Sequence, residues 1–311
     1  MRKLFSFFLF INIFLLNSCD DGDIVTVELD FDTSFEACEG ANDLILYKTK
    51  DDPSESLSLL LNNVSLEDIF EVDDTGVFEN TYTISSTNPF NYRTYSNTSL
   101  PSDLFCNTIP NSEISITQDT EVTSGTAVLT TILTEDDADG ISAELENQDP
   151  NGDGDYSDAQ DTDGDGIPDY IDADDDGDNV LTKNEDPDPN DDGDLSDALD
   201  TDSDGIPDYL DADDDGDGLD TRDEEIDSQD QNPANDFSTG GGIADYLNGE
   251  IANLDAPRAT AYREHTIVQT YNITLIIYDV DLDLISLDTY DFGVLDDNDT
   301  TDSRVVTPDF P

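Results

Sequence analysis

The chain of 311 residues has no tryptophan, one histidine and one methionine. It carries only 10 Lys and Arg against 78 Asp and Glu, a formal net charge of −68. So few cations argue against a nucleic-acid partner, because phosphate recognition needs Lys and Arg patches. A single histidine, His265, excludes His-rich metal sites and most catalytic triads, and leaves carboxylate chemistry open. Hydrophobic residues make up 35%, below the ~45–50% usual in globular chains, so part of the chain is expected to lack an apolar core. Long apolar runs are missing too: Leu4–Leu16 is short of the ~20 residues that span a bilayer.

That run follows Arg2 and Lys3 and leads into Leu16-Asn17-Ser18-Cys19, so residues 1–18 read as a secretion signal. Leu16, Ser18 and Cys19 resemble the bacterial lipobox, in which the Cys is lipidated and becomes the first mature residue; Asn17 is a looser fit. An ordinary cleaved signal with an incidental Cys is the alternative. Asp20-Asp21-Gly22-Asp23 resembles the acidic surface-export signal of Bacteroidetes lipoproteins, the alternative being a solvated linker. These resemblances imply an outer membrane lipoprotein, lipid-anchored at Cys19 and facing outward at the cell surface. Cys38 and Cys106 remain, and an oxidising exterior favours a disulfide between them over two buried free thiols.

Composition divides the mature chain. Residues 19–135 are rich in Val, Ile, Thr, Tyr and Phe, with strand patterns at Ile24–Phe31, Asp43–Lys48, Val77–Ser85, Glu113–Thr117 and Gly125–Thr134. Ser54–Leu61 and Leu66–Glu71 read as short helices. Residues 136–250 are acidic, and 151–230 holds only Lys183 and Arg222 as bases. Residues 251–311 return to β character, with Thr266–Tyr278 as the longest strand signal. Three or four strands make a poor independent core. The expected fold is therefore mainly β: one β-sandwich of about nine strands, interrupted by the acidic segment, with two separate β units as the alternative.

The acidic segment repeats at a constant offset, residues 151–189 matching 190–228. Residues 229–250 form a degenerate cap, in which Gly242-Ile243-Ala244-Asp245-Tyr246-Leu247 keeps the apolar residues while Phe237, Thr239 and Gly241 stand where the three upstream acids would be.

Each repeat carries two twelve-residue loops with the ligand order of a calcium loop: acids at positions 1, 3 and 5, Gly at 6, a backbone carbonyl at 7, and further oxygens at 9 and 12. The first kind comprises Asp161, Asp163, Asp165, Ile167, Asp169 and Asp172, copied in Asp200, Asp202, Asp204, Ile206, Asp208 and Asp211. The second comprises Asp174, Asp176, Asp178, Val180, Thr182 and Glu185, copied in Asp213, Asp215, Asp217, Leu219, Thr221 and Glu224. Asn179 replaces the Gly at position 6 in one copy, the next best residue for a left-handed turn. Position 1 is expected to point inward and position 2, such as Asp214, outward. Oxygen-only ligands select Ca²⁺ over Zn²⁺ or Mg²⁺, and four loops imply four or more ions.

Convincing helices do not flank these loops. Over roughly 150–228 they resemble thrombospondin type 3 repeats more than paired EF-hands. That resemblance implies a chain wrapped around a string of Ca²⁺ ions with little regular secondary structure. Together with the leader, the repeats resemble a group of flavobacterial surface lipoproteins.

The expected function is a calcium-binding, lipid-anchored surface protein with a structural or adhesive role and no enzymatic activity. The alternative is capture of an extracellular glycan or peptide through the sandwich, with Phe90-Asn91-Tyr92-Arg93-Thr94-Tyr95 as the handle or as buried core. A two-carboxylate glycosidase would need a particular pair, and so many acids nominate none. His265 reads as an exposed strand residue. A saline habitat would explain the background acidity but not the loop spacing.

Overall fold

The computed structural model describes residues 29–73, 75–107, 111–225, 230–238, 242–251, 257–282, 286–308 and 310. The signal, Cys19 and most of Ile24–Phe31 lie outside them. Ten strands occur among the described residues: β1 (Ser34–Glu39), β2 (Asp43–Asp51), β3 (Ser54–Asn62), β4 (Val77–Thr83), β5 (Phe90–Tyr95), β6 (Ile116–Val122), β7 (Thr126–Asp136), β8 (His265–Asp281), β9 (Ser286–Leu295) and β10 (Thr301–Val306). They form one mixed sheet in the order β4-β7-β8-β9-β1-β2-β3-β5-β6, with β10 added to β8. No helix among the described residues is long and apolar enough to cross a membrane.

Ser54–Leu61, expected to be helical, is strand β3. It pairs with β2 from Asp43↔Asn62 to Asp51↔Ser54, and with β5 on its other edge. Its apolar run Leu59-Leu60-Leu61 hides the alternation, because most of the strand is buried on both faces. Leu66–Glu71 holds only one 3-10 turn, Glu67–Ile69.

β8 lies between β7 and β9. The long antiparallel ladder with β7 runs from Thr126↔Tyr278 to Asp136↔Val268. β9 meets β1 in a short parallel pair, Ser34↔Val294 and Phe35↔Leu295, which joins the two antiparallel halves into one mixed sheet. Gly293 permits this join. Its φ is +96°, and a Cβ there would strike the Thr33 carbonyl. One hydrophobic cluster serves both halves: Leu46, Leu57, Leu59 and Phe90 pack with Leu129, Ile273, Leu275 and Phe292. A disulfide between Cys38 and Cys106, with Cα atoms 5.2 Å apart, staples the turn after β5 onto β1. The neighbouring Phe105 ring lies 4.7 Å from that of Tyr47.

Candidate metal centre

The acidic segment leaves the sheet at the end of β7 and returns at His265. Among its described residues the regular structure consists of single 3-10 turns such as Asp169–Ile171, Thr182–Asn184, Asp208–Leu210 and Thr221–Asp223. The backbone of each predicted loop is held by its own carboxylates. In the first loop Asp165 N donates to Asp163 Oδ1 (2.9 Å), Ile167 N to Asp165 Oδ1 (2.7 Å) and Gly166 N to Asp161 Oδ2 (3.2 Å). The same three bonds recur at Asp178, Val180 and Asn179, at Asp204, Ile206 and Gly205, and at Asp217, Leu219 and Gly218. Position 6 is left-handed throughout: φ is +97° at Gly166, +73° at Asn179, +101° at Gly205 and +92° at Gly218.

At positions 3 and 5 one carboxylate oxygen therefore secures the loop and the other is left over. The second oxygens of Asp163, Asp165, Asp176, Asp178, Asp215 and Asp217 are buried without a hydrogen-bond partner. Position-1 oxygens of Asp174, Asp200 and Asp213 are in the same condition. In three of the loops the acids converge. Asp161, Asp163 and Asp165 place one oxygen each within 4.8 Å of one another, as do Asp200, Asp202 and Asp204, and Asp213, Asp215 and Asp217.

The remaining predicted residues take several positions. Position 9 closes the loop onto position 2: Asp169 accepts from Thr162 N and Oγ1 (both 2.8 Å), and Asp208 from Thr201 N and Oγ1 (both 2.7 Å). Thr182 and Thr221 do the same with their hydroxyls, accepting from Asp175 N and Asp214 N. Asp172 and Asp211, at position 12, accept from Asp174 N and Asp213 N at 3.0 Å. Glu224 is fully buried with both oxygens unpartnered. Burial, followed by the charges of Asp215 and Asp217, pushes its carboxyl up to about 9.

Loop two differs from the pattern. Its buried cluster is Asp176, Asp178, Glu185 and Asp214, and the last belongs to the following repeat. Asp214 stands at position 2 and was expected to face outward; it is 1% exposed. Burial and the Asp178 charge push it up to about 11. A second cluster of four was not predicted at all: Asp137, Asp139, Glu146 and Asp175. A signal for it exists in the sequence. Asp137, Asp139, Ile141 and Glu146 precede Asp176, Asp178, Val180 and Glu185 by the same 39-residue offset as the repeats, and Asp175 precedes Asp214 by it as well.

The degenerate cap keeps the loop closure and lacks the three upstream acids. Ser238 N and Oγ donate to Asp245, while Ala244 and Tyr246 pack on the fully buried Val180. A return strap then runs back along the repeats. Arg258 Nη1 reaches Asp223 Oδ2 at 2.6 Å, Ala261 N donates to Gln231 Oε1, and Arg263 N donates to Asn179 Oδ1. His265 Nδ1 finally lies 2.9 Å from Asp172 Oδ1. His265 is therefore buried, 2% exposed, where an exposed residue was expected. The Phe90–Tyr95 stretch is strand β5, with Phe90, Asn91, Tyr92 and Tyr95 buried, so it offers no exposed aromatic platform.

Comparison with protein-family models, curated proteins and solved structures finds no match to this chain.

Proposed function

We propose that this protein is a calcium-binding, lipid-anchored surface lipoprotein whose acidic segment, inserted in a β-sandwich, is folded by Ca²⁺ in the manner of thrombospondin type 3 repeats. Its role is structural or adhesive. One observation carries the calcium reading. Asp176, Asp178, Glu185 and Asp214 gather with at most 5% exposure, and among the described residues no Lys, Arg or His pairs with any of them. Four carboxylates cannot stay ionised in such a place without a cation. The donors are all oxygen, in a cluster about as wide as two Ca–O bonds of ~2.3–2.6 Å, which fits hard Ca²⁺.

Titration calorimetry on the metal-free mature chain is expected to show several Ca²⁺ ions bound, with one ion lost in Glu185→Gln. Absence of binding by the unaltered chain would defeat the calcium reading. For the anchor, Cys19→Ala is expected to leave the membrane fraction; retention there would sink it.

A cleft of about 770 Å³ between β7 and the repeats favours glycan capture as a second reading. Tyr156 and Tyr170 line it beside Gln148 and Asp155, with the two rings 5.8 Å apart. A glycan array probed with the calcium-loaded protein and its Tyr156→Ala variant tests it: binding lost in the variant supports capture, and no binding by either removes it.

A further inference from the structure

β7 ends at Asp136, opposite Val268 of β8, and the next residue begins a cluster of four acids. Asp139 N donates to Asp137 Oδ1 at 3.0 Å and Ile141 N to Asp139 Oδ1 at 2.8 Å. The second oxygen of each Asp is buried without a partner. Glu146 and Asp175 are 6% and 2% exposed, and both oxygens of each are unpartnered. Asp175 comes from the first repeat. Thr182 holds its backbone N–H within its own loop, and its side chain lies with the earlier acids. Among the described residues no Lys, Arg or His pairs with any of the four.

We propose that Asp137, Asp139, Glu146 and Asp175 form a fifth Ca²⁺ site, which locks the start of the repeat segment to the end of β7. The proposal rests on the calcium reading above and extends it to residues outside the four predicted loops. Clustering alone would not carry it. The second observation is that two wholly unpartnered side chains, from distant parts of the sequence, are aimed at one buried point where four negative charges otherwise repel. The site is buried and carries four acids, whereas the Asp161, Asp200 and Asp213 trios carry three and are only partly buried. More ligand charge in a more rigid site binds more tightly. This ion is therefore expected to outlast those of the three trios, as is the ion of the other buried four-acid cluster, and its loss frees the first repeat from the sheet.

Tyr209 provides a private reporter. It is 7% exposed, and burial, then the charges of Asp175 and Glu146, push its hydroxyl up to about 12. Tyr246 stands likewise toward the other four-acid cluster, where burial and then Glu185 and Asp214 raise it. The chain has no tryptophan, so tyrosine alone can sensitise bound terbium(III).

The experiment counts Ca²⁺ by native mass spectrometry in the mature chain and in Glu146→Gln, and follows terbium emission in Tyr209→Phe and Tyr246→Phe. The expected result is one ion fewer in Glu146→Gln, together with loss of one slow-exchanging terbium signal in Tyr209→Phe and of a different one in Tyr246→Phe. Tyr209→Phe removes no ligand, so it decides the matter even if Glu146→Gln fails to fold. An undiminished ion count in a folded Glu146→Gln, or slow signals that all survive in Tyr209→Phe, would overturn the site while leaving the calcium reading intact. A mature chain that binds no ion would overturn both.

Discussion

Asp214 and Glu185 meet in one buried cluster, although one belongs to the second repeat and the other to the first. Adjacent loops thus share a site. Asp214→Asn and Glu185→Gln are expected to remove the same ion, each weakening it by roughly 100-fold or more, above the usual cost of losing only an outer partner of a ligand. Asp213→Asn is expected to remove a different and more exposed ion. Calorimetry of the three variants checks this, and identical profiles for Asp213→Asn and Asp214→Asn would contradict the shared site.

Chelation is expected to act as a local denaturant of residues 151–228. Without metal this stretch is a polyanion with little apolar surface, and such chains stay expanded. An endoprotease that cleaves at aspartate should cut it rapidly in chelator and slowly in calcium, while β1–β3 survive in both. Small-angle scattering should report a larger radius without the metal. Matching digestion patterns and radii in the two conditions would count against calcium-linked folding.

The metal-free protein is expected to be stabilised by mild acid. Burial, with the charge of Asp165 adding, pushes Asp163 up to about 6; burial and Asp217 do the same to Asp215. Unfolded aspartate titrates near ~3.9. Between about pH 4 and 6 the folded state therefore keeps protons that the unfolded state has released. This stability is fully present below pH 4 and is lost as pH rises through 6. Melting in chelator should fall from pH 4.5 to pH 7. Saturating calcium should abolish or reverse the trend, because protons and metal compete for the same oxygens. A flat profile in chelator would refute the argument.

Leu275 of β8 is fully buried in the cluster that both halves of the sheet share. Leu275→Ala is expected to cost ~2–5 kcal/mol. Deleting residues 260–311 removes the partners of β7 and β1, and should unfold residues 29–136 as well. Urea melts of both variants test this, and a folded, monomeric truncation would show that the N-terminal strands stand alone.

The disulfide closes a 68-residue separation, for which chain-entropy arguments give about 4 kcal/mol. Cys38→Ser with Cys106→Ser should lower the urea midpoint of the sheet and leave the calcium count unchanged. A lowered count would instead tie the disulfide to the metal sites.

The loops were legible because their logic is local. Alternate acids secure the next N–H groups, and a Gly or Asn takes the left-handed position, so spacing alone identifies Asp161–Asp165 and its three copies. What spacing hides is direction. Asp169 and Asp208 read as ligands, yet their carboxylates close the loop onto Thr162 and Thr201. Asp175 and Asp214 read as outward because a single loop cannot show that its neighbour lies on that side. The first four-acid cluster escaped notice because Glu135, not Asp, stands at its opening position, at the end of a strand, where Gln269 and Arg304 hold it. β3 was misread because a strand buried on both faces loses the period of two.

The return strap makes the number of repeats a fixed quantity. Residues 258–265 must meet Asp223, Gln231, Asn179 and Asp172 in turn before β8 can enter the sheet. An extended chain covers at most ~3.3–3.6 Å per residue. Duplicating a repeat would therefore leave the strap too short to reach its docking points unless it lengthened in step. Solenoids with free ends grow or shrink by whole units. Here the strap acts as a ruler, so length variants must change two distant stretches of sequence together.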